Sequence, residues 1–185
     1  MSIKVREFDK DGIKFMIQIW NEVVENGVAF PQTELLDEIS GFEFFSSQSF
    51  VGVAVETGAN SDKKGEILGL YILHPNNVGR CAHIANASYG VAKNARGKGV
   101  GEILVRHSLT KARELGFRIM QFNAVVANNE VALRLYEKLG FTKLGVIKGG
   151  FLNKNGIYED IIPHYIELIW LNLMTTKANL MQQSC

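Results

Sequence analysis

Residues 91–107 read VAKNARGKGVGEILVRH. The first eleven hold three glycines (Gly97, Gly99, Gly101) and three cations (Lys93, Arg96, Lys98), and an apolar pattern of helical spacing starts directly behind them. Glycine costs backbone entropy wherever it is ordered, so three at alternate positions mark a chain that turns tightly or passes very close to something. Upstream, CAHIANASYGV (residues 81–91) reads as a long strand. From Gly99 the period changes: Val100, Ile103, Leu104, Ala112 and Leu115 share one face of a helix that Gly116 can end. The unit is strand, glycine loop, helix.

Toward the N-terminus, IKVREF (residues 3–8) alternates like a half-buried strand, and Asp9 or Asp11 can cap the helix GIKFMIQIWNEVVENG behind it. A second, shorter helix is expected after Pro31. Residues 49–56 and 66–73 form a predicted hairpin about the turn TGANSDKKG. Toward the C-terminus, RIMQFNAVV (residues 118–126) reads as a strand, and Ala132, Leu135, Tyr136 and Leu139 lie on an amphipathic helix stopped by Gly140. FTKLGVIKGGF and YEDIIPHYIEL are two strand-like runs around an NKNG turn. The order β, α, α, β, β, β, α, β, α, β, β predicts an α/β (α+β) fold, one mixed, mostly antiparallel sheet flanked by helices. Residues 1–168 are read as one domain and 169–185 as a C-terminal tail without sharp patterning.

The glycine loop fails both common nucleotide signatures. A P-loop needs Ser or Thr after its Gly-Lys, and Lys98 is followed by Gly99. A dinucleotide fingerprint needs a third glycine where Glu102 stands. What remains is either a plain tight turn or a helix N-terminus whose free amides, from Gly97 through Val100 to Gly101, can converge on an anion, with Lys93, Arg96 and Lys98 at the rim.

The sequence further along favours the anion. RGKGVG, then a helix, a strand and NNEVALRLYEKLGF, resembles the Gcn5-related N-acetyltransferase (GNAT) superfamily, whose signature Arg/Gln-x-x-Gly-x-Gly/Ala is filled by Arg96, Gly99 and Gly101. The likeness runs from about residue 3 to 168 and is most specific over 86–141. It implies acetyl-CoA as co-substrate, its pyrophosphate on the amides of Gly97, Lys98, Gly99, Val100 and Gly101 beside Arg96. It also implies a pantetheine arm paired with the backbone of Val91 and bonded by Asn129, whose other reading is an N-cap, a place Asn128 can equally fill. Tyr136 stands where many members keep a tyrosine that protonates the leaving thiolate; by periodicity alone it belongs to an apolar stripe. In phosphinothricin-type relatives a glutamate serves as general base at the position of Asn86, and an amide cannot take a proton from ammonium. The departure leaves a water, His83, or attack by amine already neutral in solution. HIANASYGV with QFNAVVANN also resembles the yeast azetidine-2-carboxylate acetyltransferase branch, in which asparagines line the acceptor site; Asn86 and Asn123 are the matching positions. Asn123 falls mid-strand, where a buried amide needs partners. IWNEVVENGVAFP resembles the segment that shapes the acceptor pocket, with Phe30 and Trp20 as walls and Glu22 or Glu25 able to meet a cation or simply to be solvated.

Composition sets bounds on partners. With 20 Lys plus Arg against 19 Asp plus Glu, no general field draws the chain to nucleic acid or anionic lipid. Cys81 and Cys185 lack metal-ligand spacing, so no metal is expected, and they suit a reducing cytoplasm, Cys81 reading as a small core residue. The charged N-terminus and the lack of an apolar run of about 18 residues predict neither export nor a membrane span. The expected function is acetyl transfer to a small amine in a ternary complex, with a homodimer as the candidate assembly. The rivals are a protein N-terminal or lysine acetyltransferase and a non-catalytic acyl-CoA-binding regulatory domain.

Overall fold

The computed structural model describes residues 2–57 and 65–168. The expected C-terminal tail and the hairpin turn at 58–64 lie outside the described residues. The chain opens with β1 (Ser2–Glu7). Asp9 Oδ1 then accepts from Gly12 N at 3.1 Å, capping a 3-10 turn that leads into α1 (Ile13–Asn26). α2 (Glu38–Ser46) starts in a capping box, Asp37 with Ser40. β2 (Phe50–Thr57), β3 (Ile67–Pro75) and β4 (Ile84–Val91) form an antiparallel meander. α3 (Val100–Glu114) crosses to β5 (Ile119–Phe122), which pairs parallel with β4. α4 (Glu130–Lys138) follows, then β6 (Thr142–Lys143), β7 (Ile147–Leu152), β8 (Tyr158–Ile161) and β9 (His164–Glu167). The main sheet runs β1-β2-β3-β4-β5-β9-β6, and β7-β8 is a separate ribbon.

The strands β2 and β3 read as nearly continuous apolar runs because helices cover both faces of the sheet. Val51, Val53, Val55, Leu70 and Ile72 pack with Met16, Trp20 and Phe45 of α1 and α2. Ala54, Leu68, Tyr71 and Leu73 pack with Leu104, Val105 and Ala112 of α3 on the other side. Removing a fully buried side chain such as Leu70 or Leu104 to alanine leaves a cavity, at a cost of about 2–5 kcal/mol.

Four expectations need correction. Residues 118–126 are not one strand: β5 stops at Phe122, and only an isolated bridge, Val126 to Ile161, follows. The last two strand-like runs each break in two, because Pro163 has no N–H to give a ladder. The breaks match: below Asn123 the chain pairs with β9 in the main sheet, and beyond it Val125 O and Ala127 N pair with Ile162 and Asp160 beside the ribbon. Cys81 is not a core residue; it is exposed, in a 3-10 turn (Gly79–Cys81) ahead of β4. The strand begins only at Ile84, so His83 lies before it and is exposed.

Two histidines tie stability to pH. The Tyr71 hydroxyl lies 2.8 Å from His107 Nδ1, and burial, helped by Lys111 and opposed by Glu114, holds the pKa of His107 below its ordinary value. Burial also lowers His164, against the bond at Ile162 O and with Lys143 adding to the fall. Both rings therefore stay neutral in the folded chain at a pH where the unfolded chain takes up protons. Their contribution is full above the unfolded value of about 6.5 and declines as pH falls toward the folded values. The thermal midpoint should drop between pH 7.5 and 5.5, and His107→Gln should shrink that drop. An equal drop in the variant would remove His107 from the account.

Candidate active site

The strands β4 and β5 pair only at Ile84 with Ile119 and Ala85 with Met120. Beyond Ala85, β4 runs on to Val91 with no β5 partner on that side, so the sheet opens and leaves one edge of β4 without a strand beside it. The glycine loop lies at the end of this edge. A Cβ placed on Gly101 would sit 3.9 Å from Val91 Cγ2 and 4.0 Å from Leu135 Cδ2, so strand end, loop and α4 converge at one point. The ion pair between Glu102 and Lys138, at 2.6 Å, fastens the first turn of α3 to α4.

Gly97 has φ 76° and Gly99 φ 79°, a left-handed backbone that other residues adopt only with strain. Gly99 is the N-cap of α3 and offers no side-chain acceptor. Ile103 N bonds Gly99 O at 3.2 Å, so the amides of Val100, Gly101 and Glu102 before it are left for a ligand or solvent. The Val100 side chain is core, and its backbone alone faces this function. Glu102 stands in the same turn. Its hydrogen bonds from Lys138 and then Arg106 hold its pKa below the ordinary carboxylate value and offset its charge toward an anion. The loop fits a pyrophosphate: free amides at a helix N-terminus, open space over Gly97 and Gly99, and exposed Lys93, Arg96 and Lys98 around it. Arg96 also reaches inward, 3.4 Å to Val91 O and 3.4 Å to Glu22 of α1. Glu22 thus has an arginine partner, and Glu25 is exposed.

Tyr136 is held on α4 among Phe122 at 4.6 Å, Phe141 at 5.3 Å and His164 at 5.7 Å between ring centroids. Burial pushes its phenol pKa well above the ordinary value. His164 is fully buried; its Nδ1 is 2.7 Å from Ile162 O, and its Nε2 has no hydrogen-bond partner among the described residues. Tyr136 packs against the same core cluster as Tyr89 and Val91 of β4. Asn129 is the N-cap of α4, its Oδ1 accepting from Ala132 N at 3.2 Å, while Asn128 turns away to Glu159.

Asn86 and Asn123 belong to one hydrogen-bonded cluster. Its hub is Asn76, at the start of the loop after β3, and Gln121 of β5 is its fourth member. Asn123 is exposed at the end of β5 rather than buried mid-strand, and the cluster supplies its partners. Sequence reading missed Asn76 and Gln121, since a loop asparagine and a strand glutamine carry no spacing signal of their own. Phe30 is 6% exposed and packs 4.4 Å from Trp20, which is 1% exposed. Both are core to the α1 and α2 layer, a different cluster from the one that holds Tyr136.

The model of the acetyltransferase (GNAT) family matches residues 16–141, which span the glycine loop, the parted strands and most of the tyrosine helix's surroundings. The chain belongs to this family. N-acetyltransferase aca1 of Schizosaccharomyces pombe is 41% identical over 108 residues, 58% of this GNAT chain and 51% of that protein. The chain therefore spans about half the length of that relative. A GCN5-related N-acetyltransferase from Kribbella flavida superposes with a TM-score of 0.78 at 30% identity, over 89% of this chain and 97% of that one. A GNAT superfamily phosphinothricin acetyltransferase from Sinorhizobium meliloti, solved in complex with AcCoA, gives a TM-score of 0.79 at 23% identity over 90% and 89% of the two chains. At that identity the likeness is one of fold, and the GNAT fold is the one described above. Among the described residues no helix is long and apolar enough to cross a membrane.

Proposed function

We propose that this chain transfers acetyl from acetyl-CoA to the amine of a small, amino-acid-like or simple amine acceptor, directly and within a ternary complex. The reading is carried by the parting of β4 from β5 beside a glycine-capped helix N-terminus. That arrangement offers a strand edge for an amide-bearing arm and free amides for its phosphates, and the family and the AcCoA-bound neighbour of like fold support it.

Acetyl-CoA supplies an acetyl thioester, open to attack by an amine with a thiol as leaving group. The amides of Gly97 through Gly101 and the Arg96 guanidinium bind and orient it, Val91 pairs its backbone with the arm, and Asn129 can add its amide N–H while its oxygen caps α4. Asn86 orients the amine. Tyr136 gives its phenolic proton to the departing sulfur as the carbon–sulfur bond breaks and the carbon–nitrogen bond forms; the proton lost from nitrogen goes to water. Burial keeps Tyr136 protonated through the pH range in which amines lose their proton, so the acid is in place whenever the nucleophile is.

The acceptor is a small molecule on this reading because the chain's charges nearly balance, and the asparagine cluster carries no carboxylate to draw a basic tail. No metal is required, and the cytoplasm supplies the reducing setting that a chain with only two cysteines suits. In competition for limiting acetyl-CoA, small amines and amino acids should be acetylated faster than peptides with free N-termini or lysines. A clear preference for peptide or folded protein would overturn the acceptor class and leave acetyl transfer standing.

A further inference from the structure

We propose that Asn76 is a positioning residue of the acceptor side, clamping Asn86 to Asn123 where the two parallel strands part and fixing which edge of the Asn86 amide faces the acceptor. The inference rests on the small-amine reading of that site. Ala85 with Met120 is the last paired position of β4 and β5, so Asn86 is the first β4 residue beyond the parting. Asn123 is the first residue beyond β5. Asn76 bonds both. Its Oδ1 accepts from Asn86 Nδ2 at 3.3 Å and from Asn123 Nδ2 at 2.6 Å, and its own Nδ2 donates to Asn123 Oδ1 at 3.2 Å. Gln121 Nε2 donates to the same Asn123 oxygen at 3.0 Å.

The hub is itself anchored. Asn76 N donates to Ile84 O at 2.7 Å, and the preceding Pro75 is in register with Ala85, so the loop is stapled to the start of β4. An asparagine amide has a broad torsional well and rotates readily when only water holds it. Here one N–H of the Asn86 amide bonds Asn76, which turns its Nδ2 toward the hub, and its Oδ1 has no hydrogen-bond partner among the described residues. With Nδ2 held at the hub, the edge of Asn86 turned away from it carries the oxygen, an acceptor suited to an N–H of a neutral amine or ammonium. Asn123 has its oxygen doubly filled and serves as the far post of the clamp.

The test compares Asn76→Leu, which removes every side-chain bond of the hub and keeps its backbone anchor, with Asn76→Asp, which keeps oxygens able to accept from both neighbours. The probe acceptors are phosphinothricin, azetidine-2-carboxylate and butylamine. Asn76→Leu should lower kcat/KM for the acceptor roughly tenfold through its KM, with acetyl-CoA affinity unchanged, as expected for one lost orienting bond. Asn76→Asp should recover most of that loss. In ¹⁵N spectra without any acceptor, the side-chain amide signals of Asn86 and Asn123 should move to free-amide positions in Asn76→Leu and stay dispersed in Asn76→Asp. That spectral result upholds the clamp even if none of the three amines is turned over, an outcome that would defeat the small-amine reading alone. Unmoved signals in Asn76→Leu, equal losses for acceptor and acetyl-CoA, or an Asn76→Asp variant as impaired as Asn76→Leu would overturn it.

Discussion

Tyr136→Phe should lower kcat by on the order of 10²- to 10⁴-fold while coenzyme A binds as before. The ring packed among Phe122, Phe141 and His164 is kept in the variant, so packing and the walls of the site survive, and only the phenolic hydroxyl is lost. A free thiol has a pKa of about 8.5, so expelling it without an acid leaves a poor leaving group near neutral pH. The pH profile separates this role from a structural one. With an amide at Asn86 no carboxylate base titrates there, and the raised pKa of Tyr136 keeps the alkaline fall that loss of its proton would cause out of the accessible range. The wild-type rate should climb with pH as the free amine fraction grows, and the phenylalanine variant should lie far below it at every pH. Full activity in Tyr136→Phe would return the tyrosine to the apolar stripe of α4.

Gly99→Val should weaken coenzyme A binding on the order of 10²-fold or more. An added Cβ meets no atom within 4 Å, so crowding inside the protein is not the cause. The cause is the φ of 79°, which a β-branched residue holds only at a cost of roughly 1–3 kcal/mol. On the proposed placement of coenzyme A, a loop that turned to relieve that strain would carry the amides of Val100 and Gly101 off the phosphates. Losing two charge-assisted bonds at about 1.5 kcal/mol or more each accounts for the expected change. Calorimetric titration of coenzyme A into the folded variant measures it, with the thermal midpoint reporting the cost to the fold. Unchanged affinity in a folded Gly99→Val protein would take the loop out of the cofactor site.

What the sequence made legible was local. The glycine loop, the switch to helical period at Val100, and the glycine stops at Gly116 and Gly140 are written in consecutive residues, and the structure has each in place. The shared tyrosine and glycine motifs carried the family. The errors fall where a distant partner decides the outcome. Residues 118–126 look like one strand, but the β8 and β9 segment opposite them breaks at Pro163, and the ladder breaks with it at Asn123. Cys81 is apolar enough for a core, yet the strand starts three residues later and leaves it outside. Asn76 is 47 residues from Asn123 in the chain, and nothing short of the folded sheet brings their amides to 2.6 Å. Phe30 and Trp20, placed by resemblance, show how an aromatic pair that reads as a pocket wall can pack as core.

Direct transfer from acetyl-CoA to a small amine is tested most directly by mass spectrometry of one reaction mixture, following the free thiol, the amine and the intact protein together. With the protein, acetyl-CoA and a panel of amino acids and amines present, each thiol released should be matched by one N-acetylated small amine, and the mass of the protein should stay unchanged. Acetyl found on the protein during turnover, or no amine-dependent thiol release from any small amine, would contradict it.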